Sequence, residues 1–274
     1  MVVRSRPGRD PSAVTAAASA YSASGEAWQR GPGRIYDRLS EVVVESSPVA
    51  VVGARALDLG AGTGAASRAL LRAGAARVVA VDAAGGMLAV DAGDRPPAAV
   101  ADALALPFAT RAFDVTVAAF SLNHLADPGA GLAEAARVTR RGGAVLASAY
   151  AADDFHPVKM AVEGALAARG WRPEPWYWAI KTTTAPKLAT VDAARAVAAD
   201  GPLDADVVAL RVPFPGLDAA ELVSWRLGLA QHAPFVATLA AVEQDALAAD
   251  AIDRLGSGWP ELERSIILVR GVVR

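Results

Sequence analysis

Between residues 55 and 150 the chain repeats one pattern: a short apolar run closes on an acid or a glycine, and a segment with helical spacing follows. The pattern predicts strands at Arg55–Leu59, Arg77–Asp82, Ala98–Ala101, Phe113–Phe120 and Ala144–Tyr150. Helices are expected at Thr63–Ala73, near Gly86–Val90, and at Gly129–Thr139, with Gly142-Gly143 as the break before the fifth strand. Upstream, Leu39, Val42 and Val43 share one face of a helix expected over Ile35–Ser46. From Ala151 to Pro186 the alternation lapses. It holds a helix at Pro157–Ala168 and then a dense run of rings, Trp171, Trp176, Tyr177 and Trp178. It resumes with a helix at Ala189–Ala199, a strand at Val207–Val212, helices at Asp218–Leu229 and Phe235–Leu255, and a last strand at Ser265–Val273. Apolar strands alternating with helices imply a parallel sheet covered on both faces.

Composition narrows the class. The 274 residues carry no cysteine, which excludes disulfides and thiolate chemistry and fits a cytoplasmic protein. A net charge of −2 gives no electrostatic reason to expect a nucleic-acid partner. No apolar run is long enough for a bilayer, so no membrane partner is expected. The start of the chain (Arg4, Arg6, Pro7, Gly8, Arg9, Asp10, Pro11) lacks a signal-peptide core and is expected to be a frayed tail. Lysine occurs only at Lys159, Lys181 and Lys187 while arginine is abundant, which hints at a GC-rich bacterial genome.

The chemistry concentrates at Ala56-Leu57-Asp58-Leu59-Gly60-Ala61-Gly62-Thr63-Gly64. Alternating glycines let backbone turn sharply and come close to a ligand, and the helix that follows opens its free N–H groups on the same spot. Gly60, Gly62 and Ala65, with Asp82 closing the second strand, nearly satisfy a dinucleotide fingerprint, so an NAD-dependent oxidoreductase stands as one reading. Asp58 argues the other way. A carboxylate two residues before the first glycine, pointing at the ligand, repels a diphosphate and welcomes an ammonium, as S-adenosylmethionine carries. Its alternative role is to cap the following turn. Asp82 is placed to bind ribose hydroxyls, or to cap the next helix. Asp102 ends the third strand and can accept from an adenine amino group, or form a turn. All three acids fall at the carboxyl ends of successive strands, where open α/β sheets bind ligands.

On these residues the chain resembles the class I S-adenosylmethionine-dependent methyltransferases, in the small-molecule branch that includes quinone-biosynthesis C-methyltransferases. The stretches are ALDLGAGTG (56–64), VVAVDAAGGML (78–88), VADALALPF (100–108), FDVTVAAFSLNHLADP (113–128) and RVTRRGGAVLASAY (137–150). Thr139-Arg140-Arg141 departs from the Leu-Lys-Pro usual before the paired glycines. The resemblance implies a Rossmann-like, doubly wound, seven-stranded sheet, mostly parallel with an antiparallel last strand. It implies an N-terminal lid (1–40), a cofactor-binding core (41–150 and 188–274) and a substrate cover (151–187). It implies that Asp58, Gly60, Ala61, Gly62 and Gly64 hold the methionine portion of S-adenosylmethionine and that Asp82, Ala83 and Met87 surround the ribose. Asp102 and Ala103 then flank the adenine, Phe120 lies at the sulfonium side, and Tyr21, Trp28 and Tyr36 form the lid.

Methyl transfer needs alignment and exclusion of water, and a base only for a protonated, weak nucleophile. His124, after the fourth strand, and His156, before the insertion helix, are the catalytic candidates; packing is the alternative for each. Trp171, Trp176, Tyr177, Trp178, Trp225 and His232 are the substrate-side candidates, suited to a flat or aromatic small molecule. The same rings would also serve simply to anchor the insertion. No metal site is expected, and the chain is expected to be a monomer or homodimer. A non-methylating cyclase or binder on the same fold is the remaining alternative.

Overall fold

The computed structural model describes residues 11–93 and 95–274, with side chains from Ala16 onward. The tail through Asp10 lies outside the described residues. Three helices lead in: α1 (Pro11–Ser22), α2 (Gly25–Arg30) and α3 (Gly33–Glu45). Then come β1 (Arg55–Leu59), α4 (Ala65–Arg72), β2 (Arg77–Asp82), α5 (Gly85–Ala89), β3 (Ala98–Val100), β4 (Phe113–Ala119), α6 (Pro128–Val138) and β5 (Thr139–Tyr150). The second half comprises α7 (Val158–Ala168), α8 (Pro175–Ala179), α9 (Val191–Ala199), β6 (Leu203–Phe214), α10 (Ala219–Leu227), α11 (Ala233–Val236), α12 (Ala241–Leu255) and β7 (Leu262–Val273). The sheet order is β3-β2-β1-β4-β5-β7-β6, and β7 alone runs antiparallel to its neighbours. This is the expected doubly wound sheet.

Its two faces carry separate cores. Ala56, Val78, Val115, Val117 and Leu146 face α3, α4, α7, α10 and α12; Leu57, Leu59, Val81, Val145 and Ala147 face α6 and α9. Each fully buried leucine contributes about 2 kcal/mol of transfer free energy. Helices α3 and α4 are also tied by Arg68, whose Nε and Nη2 reach Asp37 Oδ1 at 3.1 and 2.6 Å.

Two expectations are corrected. Gly142-Gly143 does not precede the fifth strand but lies inside it. Pairing jumps from Phe113↔Thr139 to Val115↔Ala144, so residues 140–143 bulge out while the strand continues. Gly142 has φ +70°, and a Cβ on Gly143 would sit 2.4 Å from the Asp114 carbonyl oxygen. The single helix expected over Phe235–Leu255 is two, α11 and α12. The chain breaks at Thr238–Ala240, where the Glu243 carboxylate accepts from the Ala240 N–H and starts α12 afresh.

The N-terminal helices are fastened by glycines that face backbone. A Cβ on Gly86 of α5 would lie 2.2 Å from the Ser22 carbonyl oxygen, and one on Gly25 would lie 2.8 Å from that of Gly86. On the other side, Gly31 meets the Ser224 carbonyl oxygen and Gly228 meets that of Ala27. Gly86→Ala is therefore expected to undock α1 and α2 without unfolding the sheet. Limited proteolysis should cut ahead of residue 33 markedly faster, with the melting temperature moved by no more than about 2 °C. An unchanged cleavage pattern would count against the fastening.

Candidate functional site

The carboxyl ends of β1, β2 and β4 meet the first loop and build a cradle. Gly60, Gly62 and Gly64 all have left-handed backbone, φ +75°, +53° and +88°. A Cβ on Gly60 would fall 2.2 Å from Ser121 Cβ, so the end of β4 rests directly on the loop. Ser121 Oγ donates to the Leu59 carbonyl at 2.7 Å across the same junction. Phe120 is held at φ +55°, a conformation costly for a bulky residue. Strain of this kind clusters at functional sites.

Asp82 holds the cradle in shape. Its Oδ2 accepts from the Gly62 N–H at 2.8 Å and its Oδ1 from the Ala84 N–H at 2.7 Å. Burial raises its pKa, with the backbone donors and Arg95 opposing. Ala83 beside it is exposed, and Met87 is buried with its Cε 3.3 Å from the Cβ position of Gly62. Asp102 is exposed at the end of β3 and accepts from the Leu104 N–H at 2.9 Å; Ala103 follows, half-buried.

Asp58 is placed differently from the expectation. Strand alternation puts it on the same face as Ala56, under α4, and it is 1% exposed. Ser67 Oγ donates to its Oδ2 at 2.7 Å. It cannot touch a ligand directly, so it acts through its field, from beneath the loop. Burial pushes its pKa up to about 6, against the pull of Ser67. The folded protein therefore binds this proton more tightly than the unfolded chain, and this group's stabilisation falls as pH rises from about 4 to 6. Asp58→Asn is expected to flatten that part of the pH–stability curve. At pH 8, with no ligand added, it should gain on the order of 2–3 kcal/mol over the parent. Denaturant titrations of both proteins between pH 4 and 8 check this; parallel curves would refute it.

Arg95 was not singled out from sequence and belongs to the cradle. Its guanidinium donates to the carbonyls of Leu88 at 2.7 Å, Met87 at 3.2 Å and Gly62 at 3.1 Å, and its buried Nε has no hydrogen-bond partner among the described residues. It lies within electrostatic reach of both Asp58 and Asp82. Asn123, whose buried Oδ1 is likewise unpartnered, stands just past β4. Neither residue sits in a periodic pattern, and Arg95 is revealed only by the backbone carbonyls it reaches.

The roof is aromatic and continuous. Tyr21 packs on Trp28 (5.6 Å between centroids), His124 (5.5 Å) and Trp176 (6.1 Å); Trp28 packs on Tyr36 (4.8 Å). Tyr36 meets Phe120 edge-on at 5.4 Å, and Phe120 lies 4.7 Å from Tyr150. The three lid candidates are thus brought over the strand ends. His124 is neutral there, since burial and the charge on Lys181 push its pKa down to about 4.

The structure separates the other candidates. His156 is corrected as a catalytic group: its Nε2 donates to the Pro260 carbonyl at 2.8 Å and its Nδ1 accepts from the Val158 N–H at 3.2 Å, so both nitrogens fix the start of α7. Of the ring run, Trp171 is buried in the sheet core and donates to the Gln231 carbonyl at 3.0 Å. Trp176 is buried against Trp28, Tyr177 is half-buried, and Trp178 is 62% exposed and faces away. Trp225 is buried against Arg264, which also covers Tyr150, and His232 is buried edge-on to Trp171 at 4.9 Å. A surface depression lined by Glu45, Pro48, Asp206 and Arg270 lies at the amino ends of the parallel strands, the wrong end for a ligand in this architecture. Among the described residues no cluster of side chains suits a metal ion, and no helix is long and apolar enough to cross a membrane.

Residues 57–147 match a family model described as a methyltransferase domain. The demethylmenaquinone methyltransferase of Renibacterium salmoninarum is 36% identical over 141 residues, covering 51% of this chain and 57% of its own. The chain thus spans little more than half the length of that relative. Among solved structures, phosphoethanolamine N-methyltransferase 2 of Haemonchus contortus, in complex with S-adenosyl-L-methionine, superposes with a TM-score of 0.54 at 18% identity, covering 86% of this chain and 52% of its own. The 4+2 cyclase SpnF superposes with a TM-score of 0.50 at 21% identity, covering 86% and 81%. These two share the fold.

Proposed function

We propose that this chain, whose residues 57–147 belong to the methyltransferase domain family, transfers a methyl group from S-adenosylmethionine to O, N or C of a small cyclic or aromatic metabolite. One observation carries the reading: the charges of the cradle complement an amino acid joined to a nucleoside, and not a diphosphate. Asp58 lies beneath the glycine loop to favour an ammonium, and the unpartnered Nε of Arg95 suits a carboxylate beside it. Asp82, already aligned by two backbone donors, keeps lone pairs for ribose hydroxyls. On this reading Asp102 and Ala103 flank the adenine edge. A diphosphate would meet the field of two acids, Asp58 and Asp82, while of the two guanidiniums that bond to the loop carbonyls Arg68 is already paired with Asp37, which leaves Arg95.

When bound, S-adenosylmethionine supplies an electrophilic methyl on a sulfonium. The protein's part is to position and to exclude water. Phe120, Tyr36, Trp28 and Tyr21 present ring faces, which favour a nearby cation and keep the site dry. His124 stands in this wall as a neutral imidazole that can accept a proton from an acceptor group. On this reading residues 1–40 act as lid, and α8 with the turns around it as part of the substrate cover. The fold is shared with a cyclase, so the test must address methyl transfer itself. Calorimetry with S-adenosylhomocysteine and with NAD should give binding for the first only. Incubation with methyl-labelled cofactor and a metabolite extract should label a small molecule. NAD binding alone would overturn the cofactor, and absence of label across broad extracts would favour the cyclase or binder.

A further inference from the structure

On the far side of Phe120 the fold buries an unusual set of polar groups. The end of β5, the start of β7, α10 and the loop after it bring together Tyr150, Arg264, Trp225, Arg226 and His232. Both guanidinium groups are deep, at 8% exposed for Arg226 and 6% for Arg264. Arg264 is fully matched: its Nε reaches Asp154 Oδ1 at 3.0 Å, its Nη2 reaches Asp154 Oδ2, and it stacks 4.1 Å from the Tyr150 ring and 4.6 Å from the Trp225 ring. Arg226 is not. Its hydrogen bond to Glu163 is long, 3.4 Å; it also engages the Tyr177 hydroxyl and lies 5.4 Å from the Trp225 ring, but its Nε has no partner among the described residues. Trp225 Nε1 and His232 Nε2 are also buried without partners. His232 Nδ1 donates to the Arg226 carbonyl at 2.7 Å, which leaves Nε2 as a bare acceptor in the neutral ring.

With the buried Tyr150 hydroxyl, four polar atoms of this cluster are orphaned, which is expensive at about 1–3 kcal/mol each. Packing places the rings, with Arg264 and Arg226 against Trp225 and Trp171 against His232, but it leaves these polar atoms without partners. Among them are two N–H donors, one on a cation, one hydroxyl and one lone pair. That is the complement of an oxygen anion and a neighbouring hydroxyl. The flanking rings, Tyr150 and Trp225, add flat apolar surface, and Tyr150 touches Phe120 at the cradle.

We propose that Arg226 and Trp225 bind an oxyanion of the methyl acceptor, a flat conjugated ring carrying a carboxylate or phenolate, and that His232 Nε2 accepts from a hydroxyl beside it. This rests on the methyl-transfer reading only in calling the ligand the acceptor. The probe is 1-hydroxy-2-naphthoate, set against its neutral primary amide. Each is titrated by quenching of tryptophan fluorescence, with and without S-adenosylhomocysteine. The naphthoate should bind about tenfold or more tightly than the amide. Arg226→Gln should erase that preference while leaving affinity for the amide and for S-adenosylhomocysteine unchanged. If the unpaired Glu163 prevents this variant from folding, the double variant with Glu163→Gln replaces it. Trp225→Phe, which removes the N–H donor along with part of the ring, should weaken the naphthoate several-fold more than it weakens the amide. Equal binding of acid and amide, no binding of the naphthoate, or full preference retained in both variants overturns the proposal. Loss of S-adenosylhomocysteine binding with the acid preference intact would instead overturn the cofactor reading and leave this one standing.

Discussion

Gly60→Ala should abolish measurable S-adenosylhomocysteine binding and lower the melting temperature by more than about 5 °C. Two costs combine. Alanine at φ +75° occupies left-handed backbone at about 1–2 kcal/mol. Its methyl would also lie 2.2 Å from Ser121 Cβ, a separation that no rotamer change relieves, because both atoms are fixed by backbone. The ends of β1 and β4 must therefore part, and the strained Phe120 next to Ser121 moves with them. Adding Ser121→Gly removes the second cost and leaves the first, so the double variant should recover most of the stability and part of the binding. Thermal unfolding and calorimetry on both proteins decide it. Binding within twofold of the parent in the single variant would mean that the loop is not the cofactor cradle.

Asp82→Ala should weaken S-adenosylhomocysteine by more than about tenfold, 1.4 kcal/mol. The carboxylate accepts from the Gly62 and Ala84 backbone donors, so its loss releases the loop as well as the proposed ribose contact. Asp82→Asn keeps one acceptor oxygen and should fall between the two. An affinity unchanged in folded Asp82→Ala would remove ribose binding from this residue, and a loss equal in both variants would mean that charge matters more than loop geometry.

The sheet was legible because buried parallel strands are short apolar runs with abrupt ends. β1 and β2 fall on the expected residues to both ends. The cradle was legible for the same reason: Gly60, Gly62, Gly64 and Asp82 are close in sequence or end a strand. The role of Asp58 was harder. Its alternation with Leu57 and Leu59 was read as aiming it at the ligand, whereas the face opposite those leucines is covered by α4 and Ser67. Paired glycines at 142–143 were read as a terminus because a bulge within a strand has the same local signature. His156, Arg95, Arg226 and the facing glycines Gly25 and Gly86 were out of reach. Each owes its role to a partner in another element, 61 residues away for the glycine pair and 104 for His156 and Pro260, and no local pattern encodes such a meeting.

The glycine seams that seat α1 and α2 have a kinetic consequence. Trp28 and Tyr21 close over Met87 and His124 on contacts that leave no room for a methyl group, so whatever occupies the cradle enters and leaves while those helices are lifted. Association should then level off with ligand concentration at the rate of lifting, and, under the methyl transfer proposed above, release of the demethylated cofactor should set the pace of each cycle.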